Sequence, residues 1–165
     1  MRFKNTMLNY VQYAALLSLF LVVGVFWGIW LSLSRSYDQF SIPELHSLAK
    51  VMMPNLAMPM RFLSCLTILL MSATAYFILS KMSKEFYFAL ASIVLVLTSL
   101  LITILIEVPI NNQVLTWTIT SAPDNWKEIM IRWIAFNRIR TIAAVLSFVF
   151  FITAILKPFK KDINA

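Results

Sequence analysis

The residues best equipped for chemistry lie between positions 107 and 141. The run Glu107-Val108-Pro109-Ile110-Asn111-Asn112 is followed, after a connection, by Trp126, Arg132, Trp133, Asn137, Arg138, Arg140 and Thr141. A carboxylate, guanidinium groups and amides thus stand among long apolar stretches, where each is costly unless it finds a partner, water or a ligand. At about 3.6 residues per turn, Trp126, Trp133, Asn137, Arg140 and Thr141 fall along one side of a helix, and Arg138 points away from them. Two readings follow. Either these side chains build a ligand site, or they are structural: Glu107 and Arg140 lock two helices, Asn111 and Asn112 cap a helix end, and Trp126 and Trp133 belong to an interfacial aromatic belt. His46 is the only histidine, and a solvated or capping role competes with a catalytic one.

The elements that must position these residues follow from composition. Of 165 residues, 61% are hydrophobic and 13% charged, more apolar surface than so small a soluble domain can bury. Charge is absent from Asn5 to Ser34, Phe62 to Ser80, Phe86 to Ile106 and Thr141 to Leu156. A bilayer span needs roughly 20 apolar residues, so the last helix is expected to begin earlier, around Trp126 to Trp133. The chain reads as all-α: one transmembrane four-helix bundle over residues 1–165, with spans at about 7–33, 56–80, 84–108 and 130–157, and a short amphipathic helix in the first long loop. That short helix opens on the capping box Ser41-Ile42-Pro43-Glu44 and continues through Leu45 to Met53, with Pro54 and Pro59 bracketing its end. At about 1.5 Å per residue, Arg140 lies roughly 25 Å above Lys157 and Glu107 roughly 34 Å above Lys84. Both reach the outer boundary of the hydrocarbon core, where they can pair. A shared pocket is therefore expected to hold Glu107, Asn111, Trp133, Asn137 and Arg140 beneath the 41–53 helix.

The amino-terminal apolar run is about twice the length of a signal-peptide core and carries Trp27 and Trp30 where small cleavage-site residues would stand, so it reads as a retained span. Gly24 and Gly28 have GxxxG spacing, which predicts a close helix contact. The net charge of +7 is scattered over segment ends rather than gathered on a nucleic-acid-binding face. Arg2/Lys4, Lys81/Lys84 and Lys157/Lys160/Lys161 predict that both termini are cytoplasmic, in the inner membrane if the source is bacterial. With one histidine and the single cysteine Cys65, the chain can form neither an intrachain disulfide nor, by itself, a histidine or cysteine metal cluster, and P-loop, dinucleotide and nucleophile-elbow patterns are absent. The expected partners are membrane lipids and a hydrophobic small molecule, no nucleic acid, and a homo-oligomer is compatible with the pattern.

Val108-Pro109-Ile110-Asn111-Asn112-Gln113-Val114-Leu115, then Trp126, then Arg132-Trp133-Ile134-Ala135-Phe136-Asn137-Arg138-Ile139-Arg140-Thr141 resembles the signature of the anthrone oxygenase-like membrane family. Arg138 stands where many relatives carry histidine, so a histidine-based mechanism does not transfer. The resemblance implies a four-helix membrane protein and, for its assigned relatives, oxygenation of anthrone-type aromatics to quinones with no metal or other cofactor. On that analogy Glu107 is the candidate base, with His46 the alternative. Arg140, Asn111 and Asn137 would stabilise an enolate oxygen, Asn112 would join the substrate site, and Trp126 and Trp133 would stack on the rings. The competing functions are a non-catalytic lipid- or quinone-binding protein and a small accessory subunit of a membrane complex.

Overall fold

A backbone surrounded by apolar side chains in lipid must satisfy its own polar groups, and the charge-free runs do so as helices. The structure, a computed structural model, describes residues 2–79 and 84–156. Helix α1 is Arg2–Ser36, followed by a 3-10 turn at Tyr37–Gln39; α2 is Ile42–Leu79, α3 Lys84–Ile102, α4 Val108–Val114 and α5 Trp126–Ile155. A π turn at Thr103–Glu107 joins α3 to α4. Among the described residues four stretches are long and apolar enough to cross a membrane, namely Thr6–Gln39, Ile42–Ile78, Lys84–Val114 and Trp126–Ile155. The all-α four-helix architecture is therefore as expected. The Lys81-to-Ser83 turn and the Lys157, Lys160 and Lys161 tail lie outside the described residues.

Two elements differ from the sequence reading. The amphipathic segment after Ser41 is not a separate short helix in a loop. It is the first part of α2, which runs unbroken through Pro54 and Pro59. Each proline removes one backbone donor, a loss that helices in a lipid bundle tolerate because neighbours and local adjustments compensate. The capping box survives in part, since the Glu44 carboxylate accepts from the Ser41 N–H at 2.7 Å and the Ser41 hydroxyl at 2.6 Å. Likewise the third span does not end near Glu107 but continues through the π turn and α4 to Val114.

Small residues set the closest packing. Helix α3 packs chiefly against α5, and α1 packs against α2 and α5. Ala89, Ser92 and Ser99 of α3 and Ala143, Ala144, Ser147 and Ala154 of α5 are all buried, so the two backbones can approach. The Ser92 and Ser147 hydroxyls each donate to the other residue's carbonyl, at 2.6 and 2.8 Å. The expected contact at Gly24 and Gly28 is overturned. Both glycines are exposed, and a Cβ placed on either would meet nothing within 4 Å. The inward face of α1 is instead Ala15, Ser18, Leu19, Val22 and Phe26.

Above these layers sits an apolar cluster of Leu45, Ala49, Ile110, Val114, Trp117, Met130 and Trp133. It joins the start of α2 to α4, the 115–125 connection and the start of α5. Trp117, only 3% exposed, anchors the connection, while Thr118 and Ser121 close it by exchanging backbone-to-hydroxyl bonds of 2.9 and 3.1 Å.

Candidate functional site

The third span places Glu107 through a local irregularity. Pro109 has no N–H to offer the carbonyl of Leu105, and the helix widens into the π turn just before it, where the Val108 N–H reaches back to the Thr103 carbonyl. Such turns recur at functional sites. Glu107, the last residue of this one, is 2% exposed.

Its partner is Arg140 of α5. The Arg140 Nη1 and the Glu107 Oε2 form an ion pair with both side chains buried. Nη1 also donates to the Thr103 hydroxyl at 3.3 Å, and that hydroxyl donates in turn to the Ser99 carbonyl at 3.0 Å. The guanidinium carbon lies 4.2 Å from the centroid of the Phe26 ring of α1, a cation–π contact. One turn above, Asn137 is fully buried, and its Oδ1 accepts from the Ser34 hydroxyl at 3.2 Å. Its Nδ2 has no hydrogen-bond partner. The polar end of the site is thus built from α1, α3 with its π turn, and α5.

This end remains incompletely paired. Glu107 Oε1, Trp133 Nε1, Asn137 Nδ2 and Arg140 Nε are buried with no hydrogen-bond partner. One acceptor and three donors are left over in one cluster, though buried polar groups are ordinarily satisfied.

Beside the cluster lies a cavity of about 260 Å³. Phe26, Ile29 and Leu33 line it from α1 and Leu45, Ala49, Met52, Met53 and Met60 from α2, so its walls are predominantly apolar. Glu107, Thr103 and Arg140 are its charged and polar end, and Asn111, Asn112, Met130 and Trp133 complete the wall opposite α2. Of the residues singled out from sequence, the structure brings Glu107, Asn111, Asn112, Trp133 and Arg140 onto this cavity. Asn137 is behind its wall. Trp126 packs against the cluster containing Trp133 but is not a lining residue. His46 is partly buried, with Nδ1 3.4 Å from the carbonyl of the lining residue Val114, and it too is not itself a lining residue. Among the described residues no group of three or more His, Cys, Asp and Glu comes together.

Sequence reasoning missed Phe26, Thr103, Ser34 and Arg61. The positions of Phe26, Ile29 and Leu33 follow the three-then-four spacing of a helix face, a signal masked because all sides of α1 are apolar. Arg61, which also lines the cavity, stood out only as the charge preceding the second apolar run.

A family model described as Anthrone oxygenase matches residues 51–150. The match includes Arg61, Thr103, Glu107, Asn111, Asn112 and Arg140 of the cavity and excludes all of α1. Neither a curated protein nor a solved structure matches the chain.

Proposed function

We propose, from the premise that this chain belongs to the anthrone oxygenase family, that this multi-pass membrane protein binds a flat aromatic ketone in the cavity and oxygenates it. The observation that carries the proposal is the set of four unpaired buried atoms at the polar end of an apolar cavity. A ring oxygen meets that set once these side chains turn toward the cavity, since none of the four atoms has accessible surface there as they stand. As an enol it donates to Glu107 Oε1, and as an enolate it accepts from Trp133 Nε1 and Arg140 Nε, with Asn137 behind them.

The chemistry then asks little of the protein. The Glu107 carboxylate takes the hydroxyl proton from the enol form of the ring ketone, and the electron pair delocalises across the ring to the carbon opposite the oxygen. That carbanion gives one electron to dioxygen, and the resulting radical and superoxide combine into a carbon–oxygen bond. The peroxide takes a proton. Loss of the remaining proton on that carbon then breaks the O–O bond, releasing water and leaving a quinone. One dioxygen is consumed: one of its atoms enters the product and the other leaves as water. The ring supplies the electrons. Apolar walls exclude water from the carbanion, and Trp133 offers an aromatic wall to the rings. The basic flanks support placing both termini in the cytoplasm, with the cavity at the opposite side of the membrane.

Glu107→Gln tests the assignment because it keeps shape and removes basicity. Conversion of an anthrone to its quinone is expected to fall by about a hundredfold or more, with binding of the ring compound retained. Unchanged turnover would remove Glu107 as the base. The ion pair with Arg140 favours a second reading, a non-catalytic quinone or lipid binder, because the pair gives the carboxylate a structural role in joining two helices. Binding without turnover in the unaltered protein would establish that reading.

A further inference from the structure

The oxidation leaves one charged lining residue without a task. Arg61 lines the cavity from α2 yet is exposed, and among the described residues its guanidinium takes part in no ion pair or side-chain hydrogen bond. Its neighbours Met58 and Phe62 are 68% and 71% exposed, which marks this side of α2 as lipid-facing. Arg61 lies about 27 Å along the helix from Leu79 at about 1.5 Å per residue, close to one hydrocarbon thickness. A cation at that boundary is stable only where an anionic oxygen or the headgroup layer meets it.

We propose that Arg61 stands at a lateral mouth of the cavity and recognises an anionic oxygen group carried by the substrate itself. This rests on the reading above and names the substrate class: amphiphilic fused-ring ketones bearing an ionised acid. Their acid group stays at the mouth against Arg61 while the ring oxygen reaches Glu107, Trp133 and Arg140. A planar guanidinium suits a carboxylate, which it can hold with two parallel bonds. Lipid phosphate offers the same chemistry, but a lipid anchor need only face outward. Arg138 of α5 is such a residue, exposed and absent from the cavity lining. Arg61 belongs to both surfaces.

The test is binding rather than turnover, so it is independent of catalysis. The full chain in phosphatidylcholine nanodiscs is titrated with anthraquinone and with anthraquinone-2-carboxylate, corrected for partitioning into empty discs, with tryptophan fluorescence as readout. The unaltered protein is expected to hold the carboxylate about tenfold more tightly, the size of one partly exposed charged contact. Arg61→Gln should bring the ratio to about one, and Arg138→Gln should leave it at the unaltered value. Where Arg61→Gln fails to fold, Arg61→Met, better matched to a lipid-facing site, reads the same ratio. A ratio retained without Arg61, or already near one in the unaltered protein, overturns the proposal while leaving the cavity reading intact. Failure of the unaltered protein to bind either compound overturns both. A ratio that is unchanged in Arg61→Gln while that variant loses stabilisation by added phosphatidylglycerol assigns Arg61 to lipid and also overturns the proposal.

Discussion

Breaking the Glu107–Arg140 pair should reveal whether the site is one coupled unit. Glu107 is 2% exposed and Arg140 4%, so removing one partner strands the other charge. Such a loss costs about 3–5 kcal/mol when a buried pair is broken from one side. Arg140→Met leaves the Glu107 carboxylate unpaired and removes the contact to Thr103 and the stacking on Phe26, so it should lie at the upper end. Glu107→Gln is milder, because the amide oxygen still accepts from Arg140 and the guanidinium keeps Thr103 and Phe26. The double variant has no stranded charge. It should therefore cost less than the sum of the singles by about 2 kcal/mol, within the range of directly coupled residues. The assay is thermal unfolding in one detergent, where a 3 kcal/mol loss corresponds to about 6–12 °C for a chain of this size. Single effects that add to within about 0.5 kcal/mol would refute the pairing and with it the geometry of the polar end.

Gly24→Ala and Gly28→Ala meet open space and should raise stability by up to about 1 kcal/mol each through helix propensity; a clear loss in the same unfolding assay would place a helix against that face. Ser92→Leu, by contrast, should cost about 1–3 kcal/mol or more by forcing α3 from α5, and retained melting behaviour would contradict the close contact. His46→Gln alters a residue that does not itself line the cavity and removes its 3.4 Å contact to the Val114 carbonyl, so quinone formation should stay within about twofold while stability falls by less than about 1 kcal/mol; a loss of activity as large as that of Glu107→Gln would return the base to His46.

How much of this was legible depends on which physical signal each residue carries. Charge in an apolar chain is a loud signal, and it led from Glu107 and Arg140 directly to the buried pair. Helical periodicity then placed Trp133, Asn137 and Arg140 on one side of α5, all three of them buried. Proline was misleading. Read as punctuation, Pro54 and Pro59 separated a short helix that is in fact continuous with α2. Glycine misled as well, because GxxxG spacing says that a close approach is allowed, not that a partner is present. The contact that spacing seemed to offer is made by alanine and serine on α3 and α5, residues too common in apolar helices to stand out. Phe26 could not be singled out because α1 is apolar on every side, so no stripe distinguishes the face toward Arg140 from the face toward lipid.

The pairing pattern along α3 and α5 argues that the unpaired cluster is a site rather than an accident of packing. Toward the Lys84 end of this helix pair the buried serines are answered: Ser92 and Ser147 bond each other's carbonyls, and both are 0% exposed. One step higher, the Ser99 hydroxyl donates to the Arg140 carbonyl at 3.2 Å. A fold able to satisfy isolated serines this thoroughly has no general difficulty with buried polar atoms. Yet at the cavity the same two helices leave Glu107 Oε1, Asn137 Nδ2, Arg140 Nε and Trp133 Nε1 without partners. Each such group costs about 1–3 kcal/mol relative to a satisfied one. Glu107, Trp133 and Arg140 line the cavity while Asn137 does not, and the unsatisfied atoms comprise both a proton acceptor and donors. That combination suits an oxygen which changes from hydroxyl to oxyanion, and it is the property a carbanion-forming oxygenase requires of its pocket.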